Sequence, residues 1–269
     1  MLSFTAGIWS HRNLIWRLVR REIEARFRGS FLGVFWAIIV PLIMLAVYSL
    51  VFGGIFQSRW AGAENGARID GFAFPMILFV GLITFGILSD PLNRAPGLVM
   101  ENVSYVKKVV FPLEILPLVA LISGLVTALI SFAVFLFVFL VAYGAPPATI
   151  ILLPIVLLPF MLFILGGVYF LASLGVFLRD LKHVMPPITT AMLFLSPVFY
   201  SPDALPERYR WLLYANPATS AVVGAREVVF SAQLPNILVW GMSLILSLFI
   251  ATAGAFWFMR TKKAFADVI

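Results

Sequence analysis

Six long apolar stretches fix what this chain can become. They run Phe31–Phe56, Phe72–Ser89, Leu113–Tyr143, Thr149–Phe177, Val184–Tyr200 and Asn236–Met259. A helix needs about 20 apolar residues to cross the ~30 Å hydrocarbon core of a bilayer. The third and fourth stretches exceed that length, so tilt or protrusion is expected. The fifth barely reaches it, with Pro186 and Pro187 near its start and Pro197 near its end. A closed barrel is the other way to span a membrane, but barrel strands alternate apolar and polar residues. These stretches are apolar on every face, which selects helices. Of the 269 residues 62% are hydrophobic and only 12% charged, about half the charge a soluble domain carries. The fold class is therefore all-α, a polytopic membrane protein with six transmembrane helices. The segments organise as one transmembrane domain over 1–269: an N-terminal amphipathic piece (1–30), spans one to five (31–200), a loop region (201–235), the sixth span (236–259) and a short tail (260–269).

The basic residues set the orientation. With the N-terminus inside, fourteen of the nineteen lysines and arginines fall on cytoplasmic pieces, and the positive-inside rule then places both termini in the cytoplasm. The net charge of +7 is read as this sidedness rather than as nucleic-acid binding. About thirty arginine-dense residues precede the first apolar run, so no cleavable signal peptide is expected.

Three segments outside the spans carry structure of their own. In 14–28, Arg17, Arg21, Glu24 and Arg28 share one stripe at helical spacing, opposite Ile15, Trp16, Val19, Ile23 and Phe27. That pattern predicts a helix lying in the cytoplasmic interface. The loop 90–112 is punctuated by Pro91 and Pro96, and its Met100, Val103, Tyr105, Val106 and Val109 make it too apolar for a solvated connector. The segment 201–235 holds two short amphipathic pieces joined by Asn216-Pro217, a helix-start signal with Asn as cap. Neither piece is long enough to span, which predicts a re-entrant hairpin at a cavity mouth.

The chemistry the chain lacks excludes whole classes. Without cysteine, and with histidine only at His11 and His183, it offers no thiolate or zinc chemistry, and no metal site is expected. The middles of all six spans lack ionisable residues, which argues against a proton relay. No Gly-Lys dipeptide occurs, so a P-loop cannot be written, and the scattered external carboxylates argue against a paired-acid enzyme. The chain is expected to be no enzyme, with no catalytic residue and no cofactor of its own. Aromatic residues are the positive signal, at 15%. Tyr48, Phe52 and Phe56 lie four apart near the outer end of the first span, and Phe194, Phe199 and Tyr200 reach the same depth in the fifth. Most aromatics in a membrane protein form interfacial belts, but such faces also suit weakly hydrated sugar rings.

The stretches RGSFLGVFWAIIVPLIMLAVYSLVFGGIF (28–56), ENVSYVKKVVFPLEILP (101–117) and SPVFYSPDALPERYRWLLYANPATSAVVGARE (196–227) resemble the permease subunits of type-2 ABC polysaccharide exporters, the group serving O-antigen, teichoic acid and capsule. The resemblance covers nearly the whole chain, although Leu113 stands where many relatives carry a basic residue. It implies a bacterial inner-membrane homodimer around a channel, with two copies of a separate ABC ATPase, which binds ATP and Mg, docked beneath. It also implies a coupling helix at about 97–108, with Glu101, Asn102, Tyr105, Lys107 and Lys108 facing the ATPase, and an interface helix at about 14–27. Gate helices are implied at about 206–214 and 217–230, with Arg208, Tyr209, Trp211, Tyr214, Asn216, Arg226 and Glu227 as gate residues. The expected cargo is a lipid-linked polysaccharide, its headgroup met by Arg17, Arg20, Arg21 and Arg28. The alternative is an exporter of a small hydrophobic drug or lipid, although the first external loop, 57–71, is short for that group.

Overall fold

The computed structural model describes residues 9–55, 73–106 and 111–268. Every regular element among them is helical. Five helices are long and apolar enough to cross a membrane: Gly33–Ile55, Phe74–Gly97, Ile115–Tyr143, Ala148–Phe177 and Ile237–Ala264. Within and between these lie α1 (Arg12–Arg26), α2 (Trp36–Tyr48), α3 (Ala73–Arg94), α4 (Val103–Val106), α5 (Ile115–Tyr143), α6 (Leu153–Val156), α7 (Leu158–Phe177), α8 (Leu181–Phe194), α9 (Glu207–Ala215), α10 (Pro217–Arg226) and α11 (Ile237–Thr261).

The fifth apolar stretch differs most from expectation. Its helix, α8, has 14 residues, a rise of about 21 Å, and it stops at Phe194. Pro197 disfavours helical backbone at Ser196, and Ser196, Pro197 and Val198 instead form a buried turn. The second stretch, by contrast, runs longer than expected. Its helix passes through Pro91 and ends at Arg94, so Pro91 does not open the loop. The first span changes character at its far end, where Ser49–Ile55 is π-helical.

Span α3 is the central post, packed against α5, α8 and α10, with Met76, Leu78 and Leu88 wholly buried. The tightest pair is α7 with α11. A Cβ on Gly166 would stand 2.5 Å from the Ile250 carbonyl oxygen, and one on Gly254 would strike the Gly166 carbonyl. Ser247, Ala251 and Gly254 line the buried stripe of α11, which is how membrane helices come close without a hydrophobic drive between them. The outer faces of α2 and α11 are exposed and aliphatic, as at Ile43, Met44, Met242 and Ile245.

Helix α1 spans nearly the residues the sequence assigns to it. Its buried residues are Ile15, Leu18 and Val19, packed with Ile115 and Val119 of α5, whereas Trp16 is 62% exposed. Ile15, Val19 and Ile23 of the predicted arc thus pack inward together with Leu18, Glu22 and Arg26 turn towards α3, and Trp16 turns away.

Candidate functional site

Four charged side chains meet where α1 crosses the basic end of α3. Glu22 and Arg26 come from α1, one helical turn apart, and Asp90 and Arg94 from α3 at the same spacing. Arg94 forms an ion pair with Glu22, and Arg26 Nη2 lies 2.5 Å from Asp90 Oδ2. The remaining two opposite-charge distances are both 3.9 Å, so the four close into a ring of alternating sign. The ring borders a cavity of about 600 Å³ that also reaches Arg21, Glu101 and Asn102. Sequence reasoning missed this constellation. Its signal was two complementary charge pairs at i,i+4, one on each helix, but only tertiary structure joins them.

The loop that follows α3 is not the single helix expected over 97–108. It is built from 3₁₀ turns at Ala95–Gly97 and Met100–Asn102 and the one-turn helix α4. Gly97 lies against the Glu101 carboxylate, where a Cβ would stand 2.6 Å from Oε1, and Asn102 Nδ2 donates to the Leu98 carbonyl at 2.8 Å. Two contacts seat the loop. The Gly175 backbone of α7 sits directly on Pro96. The Arg21 guanidinium donates to the Tyr105 hydroxyl, and the Tyr105 ring stacks on Phe111 at 4.2 Å. Lys107 and Lys108 lie outside the described residues.

The four arginines expected to meet a headgroup therefore separate. Arg21 is engaged with Tyr105, Arg20 with Glu24 at 2.8 Å on the surface, and Arg17 and Arg28 are exposed. At the same end Lys262 Nζ reaches Glu114 Oε2 at 3.1 Å, tying the tail to the start of α5.

The aromatic residues form two groups. Phe52 lies 6.4 Å from Tyr48 and 5.6 Å from Phe74, centroid to centroid. Phe194 stacks on Phe199 at 5.5 Å, and the Tyr200 hydroxyl donates to the Phe194 carbonyl at 3.0 Å. Phe194 is 63% exposed and Tyr48 lines a cleft of about 290 Å³ between the first three spans. Phe56 lies outside the described residues.

The hairpin at the far end has the expected start. Asn216 caps α10 by accepting from the Ala218 N–H at 3.0 Å, while its Nδ2 donates to the Met192 carbonyl at 2.8 Å. Arg226 is buried and donates to three backbone carbonyls: Ile77 of α3 at 3.1 Å, Val198 at 2.7 Å, and Pro197. Its guanidinium fills the notch left by Gly81, where a Cβ would be 2.5 Å from Nη2. Arg226 thus fastens α10 to α3 and to the turn after α8. Helix α9 differs, since only Leu213 of its residues is buried. Its Tyr209, Trp211 and Tyr214 are exposed, with the Arg208 guanidinium 4.5 Å over the Tyr209 ring. Glu227 follows α10, and its partial burial pushes its carboxyl above the usual range.

Residues 13–230 match the family described as ABC-2 type transporter. The chain is 29% identical over 239 residues to the O-antigen export system permease protein RfbA of Myxococcus xanthus, covering 88% of this chain and 87% of that protein. It is 22% identical over 254 residues to the RfbA permease of Klebsiella pneumoniae, covering 94% and 93%. The polysialic acid transport protein KpsM of Escherichia coli is 28% identical over 233 residues, covering 84% and 83%.

Proposed function

Because the chain belongs to the ABC-2 type transporter family, we propose that it is the membrane subunit of an ATP-driven exporter that carries a lipid-linked polysaccharide outward across a bacterial inner membrane. The observation that carries this reading is near full-length similarity to permeases named for O-antigen and polysialic acid export. Two copies of the chain form the channel, and two copies of a separate ABC ATPase supply ATP hydrolysis. Both termini face the cytoplasm, α8 makes the short fifth crossing, and α9–α10 form the outer gate.

On this reading each part of the site has a task. The loop 95–106 is the surface the ATPase meets, with Glu101, Asn102 and Tyr105 and, beyond the described residues, Lys107 and Lys108. Pro96 bears on α7 and Tyr105 on α1, so a push at the loop is delivered to both. The exposed Arg17 and Arg28 remain available to an anionic lipid headgroup. The polymer slides past Tyr48, Phe52, Phe56, Phe194, Phe199 and Tyr200, whose faces hold sugar rings without fixing any one unit. At the outer end Arg226 and Asn216 anchor α10, and the loosely held α9 is the moving part of the gate.

The test is deletion of the gene in its host. Loss of surface polysaccharide with lipid-linked polymer accumulating inside is the expected result. Unchanged surface glycan without internal accumulation, in a strain with no second exporter, would refute the cargo assignment.

A further inference from the structure

At the far ends of α7 and α11, beneath the hairpin, lies a cavity of about 200 Å³ lined by Tyr214, Ser220, Glu227, Asn236, Trp240 and Ser243 among others. We infer that this cavity binds the ammonium headgroup of a phospholipid, with the Glu227 carboxylate as its counter-charge and the Tyr214 and Trp240 rings as its walls. The assignment goes beyond cargo export and does not depend on which cargo is carried.

The first argument is charge. Among the described residues the Glu227 carboxylate has no hydrogen bond or ion pair, and its sequence neighbour Arg226 is engaged with the carbonyls of Ile77, Val198 and Pro197. A half-buried carboxylate without a partner is unfavourable, and a cation in the cavity removes the penalty. Metal is a poor candidate, because no three His, Cys, Asp or Glu cluster among the described residues, and one carboxylate does not make a divalent site.

The second argument is shape and surroundings. Trp240 Nε1 donates to the Ile155 carbonyl at 3.1 Å, which fixes the indole, and aromatic faces attract cations. The Asn236 carbonyl oxygen is committed to the N–H groups of Leu238 and Val239, and the Ser220 and Ser243 hydroxyls donate to their own helices. Among the described residues Glu227 carries the one formal charge on the lining, so it is the group that selects for a cation. Around the cavity Ile151, Ile155, Val239 and Met242 are all exposed. The lining is mostly apolar, with Val156, Pro159, Phe160 and Val223 beside the one carboxylate, and such a pocket in exposed aliphatic surface at the end of membrane-long helices suits a lipid, which supplies both the cation and the chains that cover that surface.

The experiment uses the permease in its native assembly, purified in detergent, with phosphatidylethanolamine or phosphatidylglycerol of identical acyl chains added. Lipid retention is read by native mass spectrometry and stability by thermal unfolding. The wild type is expected to retain phosphatidylethanolamine in preference to phosphatidylglycerol and to melt higher with it. E227Q should hold phosphatidylethanolamine about tenfold more weakly, a loss of one charge pair. Without lipid it should melt no lower than wild type, because burial opposes the carboxylate. A purely structural Glu227 would give the reverse. Equal retention of the two lipids by wild type, or undiminished phosphatidylethanolamine retention by E227Q, would overturn the proposal. Equal stabilisation by water-soluble phosphoethanolamine would also overturn it, by assigning the cavity to a soluble amine. Should E227Q fail to assemble, E227D carries the test, since it keeps the charge and must keep the preference for phosphatidylethanolamine.

Discussion

The ring of Glu22, Arg26, Asp90 and Arg94 predicts a specific pattern of damage and rescue. The four side chains are 18–32% exposed, between a surface pair worth less than about 1 kcal/mol and a buried pair whose breaking costs about 3–5 kcal/mol. Arg94→Ala removes the partner of Glu22 but leaves Arg26 at 3.9 Å. The attraction at that distance is about 4 kcal/mol before desolvation at an effective dielectric near 20, so Glu22 is not stranded, and the expected loss is about 2 kcal/mol. Arg94→Glu does more, because it sets a third carboxylate against Glu22 and Asp90, and about 4 kcal/mol is expected. At about 2–4 °C per kcal/mol for a chain near this size, the apparent melting temperature in detergent should fall by about 5 °C for the alanine variant and about 10 °C for the reversal. The double variant Glu22→Arg with Arg94→Glu restores the contact between helices but makes both i,i+4 pairs like-charged, so roughly half the loss should return. A double variant no more stable than Arg94→Glu alone would show that the ring is a coincidence of neighbours, not a coupled network.

Gly166→Ala should prevent folding, since the added carbon meets backbone rather than a movable side chain, at about 3 kcal/mol or more. Gly241→Ala, with open space around its Cβ, should not, and size-exclusion profiles of tagged protein separate the two. Leu18→Ala should cost about 2–3 kcal/mol by emptying the α1–α5 contact, while Trp16→Ala should stay within about 0.5 kcal/mol in thermal unfolding. The opposite ranking would show that Trp16, not Leu18, anchors α1. Asn216→Ala removes a cap and the bond to the Met192 carbonyl, for about 1–2 kcal/mol, and should raise proteolysis within 201–235 before it affects the spans.

What was legible in the sequence is what depends on one segment alone. Five of the six long apolar runs, the Asn216 cap and the α1 period are properties of neighbours in the chain, and the structure has them with boundaries moved by a few residues, whereas the fifth run yields a 14-residue helix and a turn. Errors arise where another segment decides. Leu18 rather than Trp16 is buried because α5 offers Ile115 and Val119 to that side. The α3 helix continues through Pro91 because it is packed on several sides, which overrides the local tendency to break. The loop after it is three short turns because Pro96 must rest on Gly175. The sequence names Arg226 but not what holds it, since it donates to carbonyls of Ile77, Pro197 and Val198 and no side-chain pattern announces a backbone acceptor.

These packing differences also say where a movement can occur. The α7–α11 pair is locked backbone to backbone at Gly166 and Gly254, and interfaces of that kind shift as a unit rather than deform. Pro96 of the loop bears on the same α7 through Gly175, so that body and the loop move together. Span α2 is different, because it joins α1 through the positive-φ glycines Gly29 and Gly33. A displacement of the loop therefore reaches α1 through Arg21 and Tyr105 and through the charge ring. It passes into α2 across a glycine joint, while α7 and α11 hold their spacing. On the proposed reading that is the asymmetry a channel needs, one wall rigid and one wall free to swing. Its sharpest consequence is that replacing Gly29, whose φ is +86°, by alanine should impair transport more than it impairs ATP hydrolysis by the partner. Equal loss of both would place the hinge elsewhere.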